Sequence, residues 1–295
     1  MRKGADDMDV TVKTSTKRAV SAIVLSILVL IAAQLVSVSA GTGIASLTAQ
    51  AAYGNVAAAG LYPLLTVLGL RVLCNKILRC SLADCGISKC KIKPVWGICA
   101  ICMPTIVIIA FLFVPGHWEN SAMEPWEAAD ALTGSVLFTG FAVGFVEEAV
   151  FRGVIMKVLE MRWNRVIAVL VPSVMFGALH VIGTSMDFLS FLQLVIAGSA
   201  VGIWFSLVTY ESGSIWSNAF IHSIWNICMG SGILYISMEA SENSIFNYVL
   251  DTDSFLISGG DFGVEASCIS IVVYLIFILL AGALLKSRDK AGVKR

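Results

Sequence analysis

The chain has 295 residues, 58% hydrophobic and 14% charged, with twenty basic and twenty acidic side chains and a formal net charge of zero. A soluble domain carries about 25% charged residues, so the composition excludes an ordinary water-soluble enzyme and points to a polytopic membrane protein. The zero net charge gives no reason to expect a nucleic-acid partner.

Apolar runs of bilayer-spanning length lie near 19–40, 52–73, 95–115, 131–151, 164–182, 188–210, 214–234 and 268–286. They are continuous rather than alternating, which excludes a β-barrel. The expected fold class is all-α, a polytopic membrane bundle of about eight transmembrane helices. It forms one membrane domain (19–286) between basic tails at 1–18 and 287–295. The first run, about twenty residues long, exceeds a typical cleaved signal core and is read as a retained span. The stretch 41–73 is the least sharply bounded.

Lys and Arg fall in four groups, at 2–18, 71–93, 152–165 and 286–295, and these hold all twenty. The intervening segments 116–130, 183–187 and 235–267 hold eleven Asp and Glu and no Lys or Arg. That segregation is the positive-inside pattern, so both termini are expected to be cytoplasmic. The acidic residues and the Gly259-Gly260 pair of segment 235–267 suggest a partly ordered extracytoplasmic cap that either gates access or merely connects, with the connector preferred. Trp96, Trp118, Trp126, Trp163 and Trp216 lie near span ends and are read as interfacial anchors.

Cys74, Cys80, Cys85 and Cys90 have spacings of five, four and four residues, unlike the paired C-x2-C of many zinc sites. They are read as free thiols in a reducing compartment, with zinc or palmitoylation as lesser readings. Cys99, Cys102, Cys228 and Cys268 are read as small apolar fillers.

Three polar signatures interrupt the apolar runs: Glu147-Glu148-x3-Arg152, Phe176-x3-His180 and His222-x3-Asn226. One ionisable side chain at mid-membrane costs about 2.5–3.5 kcal/mol on insertion scales, so several together imply a use. Gly140-x3-Gly144 and Gly198-x3-Gly202 permit close helix approach. At 100° per residue Gly140, Gly144, Glu147 and Phe151 share a sector about 60° wide, which turns Glu147 inward. Glu148 and Arg152 are spaced for an ion pair, leaving Glu147 free as a base. From the turn near Asn164, Glu147 and His180 lie roughly 20 and 24 Å deep, so they can meet across an antiparallel hairpin. His222 and Asn226, with Asn218 one turn earlier, form a polar stripe. His117, in a Pro-Gly-His-Trp turn, is assigned no role, and the HExxH zinc-helix pattern is absent.

In this order and spacing, the three signatures resemble those of the CPBP family (CAAX proteases and bacteriocin-processing enzymes, also called Abi) of intramembrane proteases. The resemblance covers spans four, five and seven by motif (131–234), and the rest by topology. It implies that Glu147 and His180 activate a water molecule, that His222 and Asn226 hold the oxyanion, and that Glu148, Arg152 and Phe176 support them. It leaves zinc as a candidate cofactor, held if present by Glu147, His180 and His222, with a metal-free, glutamate-dependent mechanism slightly preferred. The implied substrate is a membrane-associated peptide or protein, in what is expected to be a prokaryotic plasma membrane. Two other classes stay open: a non-catalytic regulator or bacteriocin-immunity factor on the same scaffold, and a proton-coupled transporter.

Overall fold

The computed structural model describes residues 14–182, 184–230 and 232–291; most of the two basic tails lies outside them. Eight long helices run through the described residues: α1 (Thr16–Thr48), α2 (Ala51–Leu78), α3 (Pro94–Leu112), α4 (Pro125–Arg162), α5 (Arg165–Leu179), α6 (Phe188–Ser212), α7 (Trp216–Met229) and α8 (Cys268–Lys290).

The outer helices are built inside-out relative to a soluble bundle. The buried residues of α1 are Ala19, Ala22, Ser26, Ala33, Ser37 and Gly41, all small, whereas Leu28 and Leu35 face outward. On α2 the inward stripe repeats every fourth residue, through Gly54, Ala58, Tyr62, Thr66 and Leu70. Small residues inside and large apolar ones outside are what lipid demands, because van der Waals packing rather than water exclusion holds such helices together.

Where eight spans are expected, six helices among the described residues are long and apolar enough to cross a membrane: α1, α2, α3, α4, α6 and α8. The other two, α5 and α7, have 15 and 14 residues, about 22 and 21 Å of helix. The difference arises because hydropathy counts residues and does not see where a helix stops. α5 ends at Leu179 and α7 at Met229, although Val181, Ile182 and Leu234 prolong the apolar runs.

The fold is mostly helical but not purely so. Strands β1 (Gly116–Asn120), β2 (Leu234–Ser237) and β3 (Phe246–Leu250) form a sheet in the order β1-β3-β2. β1 pairs antiparallel and β2 parallel to β3. The segment read as a connector is therefore ordered, and β3 holds it to the loop before α4.

The acidic segments gather at one end. There Asp187 N–H donates to Asp261 at 2.8 Å, and Ser121 Oγ donates to the Ser241 carbonyl at 3.1 Å. At the other end Arg162 reaches Thr16 at 2.8 Å and Arg165 faces Asp289 at 3.6 Å. Trp96 departs from the anchor reading. It is fully buried, and its indole donates to Glu211 at 2.6 Å beside a Lys93–Glu211 ion pair of 2.7 Å.

α4 changes winding along its length, with π-helical stretches at Thr133–Val143 and Ala149–Ile155 flanking Gly144–Glu148. Such insertions cluster at functional sites, and these bracket the two glutamates.

Candidate active site

Close helix contact comes first, because it decides which side chains can meet. A Cβ on Gly144 would come within 2.9 Å of the Ser223 backbone nitrogen, and one on Gly202 within 2.7 Å of Ser173 Cα. Both glycine motifs therefore lie at tight crossings, α4 on α7 and α6 on α5. The first brings the paired glutamates against the polar stripe of α7.

Glu148 is fully buried and receives three donors. Arg152 Nη1 donates to Oε1 at 2.9 Å, His222 Nδ1 lies 3.0 Å from the same oxygen, and Asn218 Nδ2 donates to Oε2. Arg152, equally buried, sends its other arm to the Gly202 carbonyl at 3.3 Å. Its guanidinium sits 4.7 Å from the Phe176 ring centroid and 5.2 Å from that of Phe205. A buried ion pair persists where further hydrogen bonds support it, and here α6 and α7 supply them.

Glu147 lies outside this bonding network. Its Oε2 is buried, accepts no hydrogen bond from the described residues, and stands 3.7 Å from His222 Nε2. His222 thus lies between the two glutamates, with one ring nitrogen on each.

His180 follows the last turn of α5, and its Nδ1 lies 2.7 Å from the Phe176 carbonyl. A carbonyl only accepts, so Nδ1 carries the proton and a neutral ring has its lone pair on Nε2. The Phe176 ring packs edge-on against both His180 and His222, at centroid distances of 4.6 and 5.8 Å. Phe176 therefore fixes His180 through its backbone, and its ring packs against both imidazoles and the Arg152 guanidinium. Asn226 donates from Nδ2 to the Thr139 carbonyl at 2.9 Å, in the first π-helical stretch of α4.

Glu147, Phe176, His180, His222 and Asn226 line one cavity of about 220 Å³. Glu148 and Arg152 lie behind its wall. The candidate metal set fits less well. Among the described residues, three ligand atoms of His, Cys, Asp or Glu come within 4.8 Å of one another in a single group, and Glu147, His180 and His222 are not that group. As placed, the three do not form a ready zinc site, and no step below is routed through a metal.

Two cavity residues escape sequence reasoning altogether. Phe262 and Glu265 come from the segment before α8 and line the same cavity. Glu265 accepts from Trp225 Nε1 at 2.6 Å, and its backbone carbonyl accepts from Tyr274 at 3.0 Å. Burial pushes its carboxyl above the usual carboxylate range, opposed by the indole bond and by the nearby His180 and His222. No spacing rule links residue 265 to the three signatures. Its one sequence trace is an acidic residue three positions before the start of an apolar run.

Comparison with known families bears on the same residues. Residues 128–228, about a third of the chain, match a family described as Type II CAAX prenyl endopeptidase Rce1-like. That span contains all three signatures, and it is the class of intramembrane protease that the motifs resemble. A search of curated proteins and a search of solved structures each returned no match.

Proposed function

We propose that the protein is an intramembrane endopeptidase that hydrolyses a peptide bond in a membrane-associated protein or peptide. The observation that supports this most is the convergence of Glu147, His180, His222 and Asn226, from α4, the end of α5 and α7, on one cavity. The family match over 128–228 points to the same chemistry.

In this reading a water molecule lies between Glu147 Oε2 and His180 Nε2. Glu147 takes its proton as the water oxygen attacks the carbonyl carbon, a general-base role. The tetrahedral oxyanion accepts from Asn226, whose second amide hydrogen is not used by Thr139, and from His222 Nε2. Donation from Nε2 requires a proton on that nitrogen while Nδ1 faces Glu148 Oε1 at 3.0 Å. The proton held on Glu147 then passes to the leaving nitrogen as the C–N bond breaks. Preorganised donors in a dry site contribute about 2.7–4 kcal/mol each to such a step.

The test uses Glu147→Gln and His180→Ala in full-length protein reconstituted in lipid, assayed for new N-termini on candidate membrane substrates by mass spectrometry. Cleavage lost in both variants, with unchanged accumulation, supports the hydrolase. Cleavage retained in both refutes it.

A further inference from the structure

A second cluster of reactive side chains lies at the opposite end of α2 from the α1–α2 turn. The fourth-residue stripe of α2 continues past Leu70 to Cys74, and Cys74 opens a five-residue π-helical turn, Cys74–Leu78. Arg79 then adopts φ = 58°, a left-handed conformation unusual for a residue other than glycine. Ser81 and Asp84 close the following turn, with Asp84 Oδ2 accepting from Ser81 N–H at 2.8 Å and from its hydroxyl at 2.7 Å. A short 3-10 turn, Ala83–Cys85, completes the return.

The outcome is that Cys74, Cys80 and Cys85 bring their sulfurs together. Cys85 Sγ lies 3.9 Å from both Cys74 Sγ and Cys80 Sγ, and all three lie within 4.8 Å of one another. Cys74 and Cys85 are buried, and Cys80 is half-buried. Thiolates bound to zinc at about 2.3 Å sit about 3.8 Å apart in a tetrahedron and about 4.0 Å apart in a trigonal plane. The two separations to Cys85, each 3.9 Å, fall between these values, and the third pair lies within 4.8 Å. A disulfide requires about 2.05 Å, which is not what these positions hold. Backbone held in an uncommon conformation is a reason to look for function, and here it serves to assemble three soft ligands.

We propose that Cys74, Cys80 and Cys85 form a three-thiolate site for a thiophilic closed-shell cation, zinc(II) with solvent as fourth ligand or trigonal copper(I). Soft sulfur ligands select these ions. The spacing of five and four residues hid the site, because convergence depends on the π turn and the left-handed Arg79 rather than on a C-x2-C pair.

The site also has a place in the molecule. The Cys85 carbonyl would meet a Cβ on Gly153 at 3.2 Å, one residue beyond Arg152. The next carbonyl, of Gly86, accepts from Ile215 N–H and from the Ser214 hydroxyl, each at 3.3 Å, just before α7. A bound ion would staple the α2–α3 loop against the two helices that bring Glu147 and His222 together, which makes it a structural ion distinct from the catalytic cavity.

The experiment is elemental analysis of full-length protein purified under reducing conditions, for wild type, Cys80→Ser, Cys85→Ser and the outward-facing control Cys102→Ser. Expected are about one zinc or copper per chain in wild type and Cys102→Ser, and at least a tenfold loss in the other two. The element found distinguishes the two ions. Should Cys85→Ser fail to accumulate, cobalt(II) and copper(I) titrations of stripped wild type replace it, with thiolate-to-cobalt charge-transfer absorption or stoichiometric copper uptake as the expected signal. Wild type that carries no metal and takes up none of zinc, cobalt or copper(I) overturns the site. So does a Cys74–Cys85 disulfide mapped in protein alkylated at cell lysis.

Discussion

The Trp225 indole nitrogen lies 2.6 Å from Glu265 Oε2, joining α7 to the segment that precedes α8 across the mouth of the cavity. That bond holds an acidic group in a largely apolar wall facing two histidines, and its consequence can be measured. Burial raises the Glu265 carboxyl, so the folded protein binds this proton more tightly than the unfolded chain does. The stabilisation is complete below the ordinary carboxylate range, about pH 4.3, and is lost as pH rises through the raised folded value. Glu265→Gln keeps an acceptor for the indole and removes the titration. Thermal unfolding in detergent should therefore vary less between pH 5 and pH 8 in the variant than in wild type. An unchanged pH dependence would show that the carboxyl does not titrate differently on folding.

Glu148 and Arg152 are both wholly buried, 2.9 Å apart. Removing one partner strands the other, which costs about 3–5 kcal/mol. Glu148→Ala and Arg152→Ala should each lower accumulation and thermal stability by that order. Glu148→Gln should fall between them and wild type, because its amide oxygen can still accept from Asn218 or His222. Detergent thermal-shift measurements on the three variants check the ranking.

Asn226 should act on rate rather than on folding. Asn226→Asp retains shape but replaces the amide donor with an acceptor facing the Thr139 carbonyl. Loss of one oxyanion donor lowers kcat by about 100- to 1,000-fold, with KM for a cleaved peptide little changed. A fall confined to KM would assign Asn226 to substrate binding instead.

Gly144→Ala tests the spacing on which the site depends. A methyl group there meets Ser223 within 2.9 Å of both its nitrogen and its Oγ. Overpacking of this kind costs about 1–3 kcal/mol and moves α4 from α7, lengthening the 3.7 Å separation of Glu147 and His222. Activity should fall well beyond the loss of folded protein, which parallel proteolytic-cleavage and thermal-shift assays can separate.

The glycine motifs, the Glu148–Arg152 pair and the approach of Glu147 to His180 are legible in the sequence because each follows from helical geometry, whereas the part of α7 is legible only through the family resemblance. What is not legible follows from departures from that geometry. The two π-helical stretches of α4 carry no composition of their own, and α5 and α7 stop while hydropathy continues. Glu265 and Phe262 reach the cavity through a long-range fold-back of non-helical chain. The cysteine cluster depends on one left-handed residue, Arg79, which spacing rules do not anticipate.

The brevity of α5 bears on the surrounding lipid, because Val166, Leu170, Val171 and Val174 are exposed along it. A helix of about 22 Å cannot match a hydrocarbon layer of about 30 Å, so the acyl chains beside it must shorten or tilt, or the gap must fill with water. Hydrophobic mismatch of this kind costs fractions of a kcal/mol per Å. The membrane is then at its weakest where Glu147 and His180 need water, and hydrolytic turnover in vesicles should rise as phospholipid chains are made shorter.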